Sequence, residues 1–151
     1  MISKHVSYKE GVVSFTALRL GIDNEPTGYH RANMEVLAEK VFEPLREWVG
    51  KPIKINSFYR GPELNKAIGG SSKSQHCEGR AMDIDDTYGH KTNAEMYEYI
   101  KANLDFDQMI WEFGTDENPA WVHVSYVSED SNRNRCLKAY KENGKTKYKV
   151  I

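Results

Sequence analysis

The sequence has little cysteine and no long apolar run. Only Cys77 and Cys136 occur in 151 residues. Two thiols cannot build the disulfide framework of a small secreted domain, so we expect both to be free in a reducing compartment. No apolar run approaches the ~20 residues of a membrane span, and residues 1–6 lack the apolar segment of a secretory signal. We therefore expect a chain that is made in the cytoplasm and has no membrane span.

Net charge is also nearly absent. The formal charge is −1 at pH 7, which argues against nucleic acid as an obligate partner. The exception is the stretch 133–149, where seven Lys and Arg residues stand against Glu142 alone. Two interpretations stay open: a solvated hairpin edge that its lysines keep soluble, or a patch that attracts an anionic polymer.

A long amphipathic helix is the clearest secondary-structure pattern. Apolar residues recur at steps of three and four from Tyr29 or His30 to Val49, which predicts one buried helical face. Pro44 either kinks this helix or opens a second one. We expect Trp48 to lie in the core.

Period-two alternation predicts the strands. With 151 residues, we expect one domain over 1–151. Its fold class is predicted as α+β, a small antiparallel sheet of about four strands with helices packed mainly on one face. A basic C-terminal hairpin at about 133–151 follows, turning at Glu142–Gly144. The four predicted strands are Ile53–Phe58, Gly79–Asp85, Asp107–Phe113 and Ala120–Val127.

Two histidines and one carboxylate form a candidate metal site. His76, Asp83 and His123 supply three ligands and leave a fourth tetrahedral position open, which is typical of catalytic rather than structural zinc. Within the predicted strand, Ala81, Asp83 and Asp85 share one face. Asp85 is expected to orient one of the two imidazoles through a ring N–H.

The residues around these ligands carry a family resemblance. Residues 74–84 read Ser-x-His-x-x-Gly-x-Ala-x-Asp-Ile, and residues 121–125 read Trp-x-His-x-Ser. This pattern resembles the D-Ala-D-Ala carboxypeptidase and phage endolysin zinc peptidases, a group shared with lysostaphin-type enzymes and the hedgehog domain. The resemblance extends from about Ile2 to Tyr126. It implies a hedgehog/D-Ala-D-Ala-peptidase-like fold and zinc (Zn²⁺) held by His76, Asp83 and His123.

The same resemblance implies roles for residues around the metal. Arg60, which follows Tyr59 at the end of a predicted strand, would face the carbonyl oxygen that becomes an oxyanion. Ser74 would hold the terminal carboxylate of the substrate, or otherwise be a solvated loop hydroxyl. Trp121 would form a wall for the substrate, or otherwise lie in the core. Tyr59 is the third predicted substrate-binding residue.

The catalytic base is where the sequence departs from the family. Many relatives carry Glu or Asp three residues before the second histidine, but this chain has Ala120. Amide hydrolysis needs a proton acceptor there, and the nearby candidates are Glu112, Asp116 and Glu117. If Phe113 pairs with Ala120, then Glu112 faces Trp121 on the metal side. This register favours Glu112, whose alternative role is a salt bridge with Arg60.

The sequence thus predicts a zinc-dependent peptidase acting on peptidoglycan peptides, as a D-Ala-D-Ala carboxypeptidase or an endolysin-type endopeptidase. It leaves open which bond is cleaved. The expected partner is the peptide, without nucleic acid, and the chain is expected to be a monomer. Without a secretory signal, it would reach the cell wall after lysis or with a virion. Ala120 supports the alternative, a catalytically inactive zinc-binding module of a phage or cell-wall structure.

Overall fold

A computed structural model describes residues 1–151. The chain forms six α-helices, and four of them begin at a Ser or Thr whose side chain caps the helix. Ser14 and Thr92 accept hydrogen bonds from backbone N–H groups in the first turns that follow them, as helix N-caps do. None of the helices has the length and apolar character needed to cross a bilayer. The helices are α1 Tyr8–Val12, α2 Phe15–Leu20, α3 Gly28–Leu37, α4 Glu43–Val49, α5 Pro62–Ala67 and α6 Asn93–Asn103.

The predicted long helix is present but interrupted. A π-helical segment, Ala38–Phe42, joins α3 to α4, and Pro44 lies in the first turn of α4. The residues at the junction keep helical φ and ψ, so the helix continues through Pro44, and the missing N–H of proline leaves this turn without one backbone hydrogen bond. The expectation of a core Trp48 is wrong: its side chain is 37% exposed. It stacks on Tyr99 instead, with ring centroids 4.4 Å apart.

The sheet has six strands rather than about four. Their order across the sheet is β1-β2-β4-β3-β5-β6. All neighbours are antiparallel except β3 and β5, which are parallel, so the predicted antiparallel sheet is corrected to a mixed one. The strands are β1 Lys54–Ser57, β2 Ala81–Asp85, β3 Gln108–Glu112, β4 Trp121–Ser125, β5 Arg135–Glu142 and β6 Lys145–Val150.

The two additional strands are the predicted C-terminal hairpin. Its turn residues Asn143 and Gly144 both have positive φ, 53° and 76°, as a type I′ hairpin turn requires. The first hairpin strand continues the sheet because β3 would otherwise end it with unpaired backbone groups. Arg135 N donates to Asp107 O at 3.0 Å, and Phe113 N donates to Ala139 O at 3.1 Å. The hairpin therefore belongs to the same sheet as the candidate ligands.

The sheet separates the hydrophobic core from a polar face. Alternate residues of β4, Val122 and Val124, are fully buried against the helices, while Trp121 and His123 line a cleft on the other side. This is the expected outcome of period-two alternation. The core residues contributed by the helices and by the inward positions of the strands include Leu37, Val41, Leu45, Met96, Ile100, Met82, Ile84, Met109, Val122 and Val124.

Candidate metal centre

The three predicted ligands come from separate elements and meet in the cleft. Asp83 on β2 pairs directly with His123 on β4, so their side chains share one face of the sheet. His76 lies on a short 3₁₀ turn, Gln75–Glu78. Ser74 caps this turn, because its hydroxyl accepts a hydrogen bond from His76 N at 3.2 Å. One donor atom from each of the three ligands lies within 4.8 Å of the others.

The orientation of His76 fits a metal ligand. Its Nδ1 is 2.7 Å from the carbonyl oxygen of Phe58, so Nδ1 donates and Nε2 keeps its lone pair. This Nε2 is buried and has no hydrogen-bond partner. It lies 3.4 Å from Asp83 Oδ2, which places one acceptor against another. A metal ion between them would satisfy both groups, so the residues fit a divalent cation such as zinc.

The contact between His123 and Asp83 and the protonation states of His76 and Asp83 agree with metal binding. His123 Nδ1 lies 3.0 Å from Asp83 Oδ1. Burial lowers the pKa of His76 despite the opposing effect of Asp83, which favours the neutral imidazole that metal binding requires. Burial alone would raise the pKa of Asp83. The neighbouring imidazoles of His76 and His123 outweigh burial and hold this pKa well below its ordinary range.

The group that orients His76 was missed by sequence reasoning. Asp85 was expected to hold one of the imidazoles, but its carboxylate accepts hydrogen bonds from Asn93 and Thr87 instead. A backbone carbonyl, that of Phe58, takes the ring N–H of His76. Backbone carbonyls are common partners of metal-binding histidines. Because every residue carries one, no signal in the sequence could have identified it.

Glu112 lies where the predicted register places it. β3 and β4 pair Ile110 with His123 and Glu112 with Trp121, so this prediction is confirmed. The Glu112 side chain lines the cleft and is only 8% exposed. No salt bridge joins it to Arg60. The loop acid Asp116 instead pairs with Lys138 and is exposed, and neither Asp116 nor Glu117 lines the cleft.

The electrostatic environment of Glu112 suits proton transfer. Burial raises its pKa, the negative charge of Asp83 adds to the effect, and His123 and Arg60 oppose it, with a net pKa of about 7. A carboxyl group with a pKa near neutrality can both accept and release a proton at physiological pH. Of the three acids that the sequence proposed as the base, only Glu112 lines the cleft.

Three of the four other predicted site residues line the cleft. Arg60, Ser74 and Trp121 do so, and the Nε of Arg60 is buried without a hydrogen-bond partner. The fourth residue, Tyr59, lies elsewhere. It is absent from the cleft lining, its side chain is 4% exposed, and its ring lies 5.2 Å from that of His30. Tyr59 is thus a core residue and cannot contact substrate.

The cleft is large and includes residues that sequence reasoning did not propose. Its volume is about 810 Å³, within the usual range for ligand sites. Alternation along β6 could have shown that Thr146 and Tyr148 share a face, but not that this face joins the metal site. The additional lining residues with polar or aromatic side chains include Lys73, Gln75, Gln108, Phe113, Arg133, Lys141, Thr146 and Tyr148.

Two imidazoles and a carboxylate beside a buried acid in a cleft define the class of a metal-dependent hydrolase. A family model described as peptidase M15 matches residues 4–125. The chain therefore belongs to the peptidase M15 family, within the D-Ala-D-Ala carboxypeptidase and zinc peptidase superfamily. A search of curated proteins finds no match for the chain. Membership supports a metallopeptidase that uses zinc and acts on a peptide.

Proposed function

We propose that this protein is a zinc-dependent peptidase that hydrolyses peptidoglycan peptides, as a D-Ala-D-Ala carboxypeptidase or an endolysin-type endopeptidase. The observation that carries the proposal is the convergence of His76, Asp83 and His123 beside Glu112 in one cleft. Three ligands that leave a fourth position open suit a catalytic metal, and hydrolysis also needs a proton carrier beside them. The buried acid distinguishes a hydrolytic site from a structural one.

The residues around the proposed metal position have distinct roles in this reaction. His76, Asp83 and His123 would hold a zinc ion, which would supply Lewis-acid polarisation of the scissile carbonyl and lower the pKa of a water molecule. Glu112 accepts a proton from the attacking water and returns it to the leaving amine. Arg60 donates hydrogen bonds to the carbonyl oxygen as negative charge develops. Ser74 binds the terminal carboxylate of the substrate, and Trp121 forms a wall against it.

Digestion of purified peptidoglycan tests this proposal. The zinc-loaded protein is incubated with walls of several types, and released fragments are identified by mass spectrometry. His76→Ala removes a ligand, while His90→Ala is the matched control because His90 is exposed and lies outside the cleft. We expect fragments from the unmodified protein and His90→Ala alone, and their masses name the bond. Equal release by His76→Ala would exclude the proposed mechanism.

A second function, a zinc-binding module without catalysis, is favoured by one observation. Ala120 has no side chain that could replace the family's acid, and its backbone N donates to Glu112 O at 2.8 Å. Full zinc occupancy with no fragments from any wall type would support this module. Turnover that is lost in Glu112→Gln while zinc is retained would exclude it.

A further inference from the structure

The C-terminal hairpin lies outside the segment that the family model matches, yet it forms part of the cleft. The match ends at residue 125, whereas β5 and β6 span residues 135–150. Four hairpin residues line the same cleft as the three metal ligands: Leu137, Lys141, Thr146 and Tyr148. This wall is therefore a feature of the chain that family membership does not explain.

Strand pairing places Tyr148 in a row with Glu112. Glu112 pairs with Ala139 on β5, and Ala139 pairs with Tyr148 on β6. Directly paired residues project from the same face of a sheet, and the small Ala139 leaves space between the two larger side chains. Burial raises the pKa of Tyr148, and the charges of Glu112 and Asp83 raise it further. Its hydroxyl therefore remains a hydrogen-bond donor at neutral pH.

Lys141 occupies the next row along the hairpin. It pairs with Thr146, and its Nζ donates to Thr146 Oγ1 at 2.8 Å. The same Nζ lies 5.4 Å from the centre of the Phe113 ring. An ammonium group has three donors, and this contact with Thr146 uses one. Two donors are left for a ligand in the cleft.

Two cations of the hairpin region line the cleft, Arg133 and Lys141, and of these two only Arg133 has an acidic partner. The guanidinium of Arg133 donates to Asp107 at 3.0 and 2.8 Å. Lys138 lies outside the cleft lining and pairs with Asp116. Lys141 forms no salt bridge, so its positive charge is available to an anion that enters the cleft.

The backbone beside Lys141 is held in an unusual conformation. Phe113 has φ of 55°, which is rare for a bulky residue. Its ring lies in the cleft lining, 5.6 Å from the ring of Trp121. Residues in such sparsely populated conformations cluster at ligand sites, where the surrounding structure maintains them. Phe113 thus connects the wall formed by Trp121 to the cation of Lys141.

We propose that the hairpin is a specificity element in which Lys141, aided by the hydroxyls of Thr146 and Tyr148, binds a carboxylate of the peptide substrate. This inference rests on the proposed function, since it assigns the substrate class of the same cleft. The preferred substrate is a peptide with a free carboxylate on the Phe113 side of the cleaved bond. A charge-assisted hydrogen bond of this kind changes affinity by about tenfold.

The test uses one pair of probes: soluble peptidoglycan stem peptides with free carboxylates, and the same peptides with every carboxylate converted to an amide except the terminal one, which Ser74 is proposed to bind. Hydrolysis of each is measured for the zinc-loaded protein, Lys141→Gln, Lys141→Glu and Lys147→Gln. The last is the matched control, because Lys147 is a lysine of the same hairpin that pairs with Tyr140 and does not line the cleft. Binding of both probes to the metal-free proteins is followed by tryptophan fluorescence.

We expect the unmodified protein and Lys147→Gln to prefer the free carboxylates about tenfold in KM and Kd. Lys141→Gln should lose this preference, and Lys141→Glu should reverse it. An unchanged preference in Lys141→Gln would overturn the inference. If no peptide is hydrolysed, the proposed function fails, but the binding measurement still tests the inference. Loss of the carboxylate preference in Lys141→Gln would support the inference, and no such preference in the unmodified protein would overturn it.

Discussion

Glu112 lies directly opposite Trp121 in the β3–β4 pair, with both side chains in the cleft. In the proposed mechanism, this position lets Glu112 take the role of the acid that is absent at Ala120. We predict that Glu112→Gln lowers kcat by about 10²–10⁴, the usual contribution of a positioned acid–base group, with little change in zinc content. Steady-state kinetics and metal analysis measure the two effects. The exposed acid Glu117 supplies the control, and a comparable loss in Glu117→Gln would contradict the assignment.

The raised pKa of Glu112 predicts an unusual pH dependence of stability in the metal-free protein. Its folded pKa of about 7 lies above the ordinary 4.5, so ionisation is penalised by folding. The loss of folding stability caused by this ionisation is absent at pH values below the pKa of Glu112 in the unfolded chain and is fully present above pH 7. Metal-free Glu112→Gln should therefore be more stable than the unmodified chain at pH 8, by up to about 3 kcal/mol.

Urea denaturation of both metal-free proteins between pH 4 and pH 8 measures this difference. The stability advantage of Glu112→Gln should grow as pH rises through the interval from about 4.5 to 7 and should vanish at pH 4. A variant that is equally stable or less stable at pH 8 would show that the carboxylate is ionised without penalty in the folded protein.

Gly79 should not tolerate alanine. It ends the turn that carries His76, with φ of 74°, and an added Cβ would lie 2.4 Å from the carbonyl oxygen of His30. Gly89 has the same φ of 74° but nothing within 4 Å, so it is the matched control. Gly89→Ala should cost about 1–2 kcal/mol for the backbone conformation alone. Gly79→Ala should cost about 1–3 kcal/mol more because of the clash, and equal losses in urea denaturation would contradict this.

Asp107 should stabilise both sides of the cleft. Its buried carboxylate accepts hydrogen bonds from Gln75 at 2.9 Å and from the Arg133 guanidinium at 3.0 and 2.8 Å. Burial opposes ionisation, but the bonds from Arg133 and Gln75 hold the pKa below its usual value. We predict that Asp107→Ala loses about 2–4 kcal/mol at pH 7, because donors are left unpaired.

The stabilisation that Asp107 provides should depend on pH. Stability from a carboxylate with a lowered pKa is present above its unfolded pKa of about 3.9 and is lost as pH falls through the folded value. The difference between the two proteins should therefore shrink on acidification. Asp105→Ala is the control because Asp105 is exposed, and an equal loss there would contradict the role of the buried bonds.

The sequence allowed the metal site to be predicted because residue type and spacing carry its chemistry. His76, Asp83 and His123 converge, as the motif and the strand alternation required. The β3–β4 register was predicted only on the assumption that Phe113 pairs with Ala120, because a slip of one residue would turn Glu112 to the other face. The observed pairing of Glu112 with Trp121 confirms that assumed register.

Other parts of the fold could not be inferred from local pattern. Alternation is the same in parallel and antiparallel strands, so residues 135–142 gave no indication that they pair in parallel with β3. Tyr59 lies after the end of β1, where alternation no longer fixes the direction of a side chain, and it enters the core. The apolar period of α4 places Trp48 at an inward position, but its ring packs on Tyr99 beside solvent.

Because β4 has the core on one side and the cleft on the other, its mutational tolerance should alternate with a period of two. In a scan that scores cellular abundance and enzymatic turnover separately, Val122 and Val124 should affect abundance, since both are fully buried among apolar residues. Trp121 and His123 should affect turnover at nearly constant abundance. A single short strand would thus record two independent selective pressures, one on folding and one on chemistry.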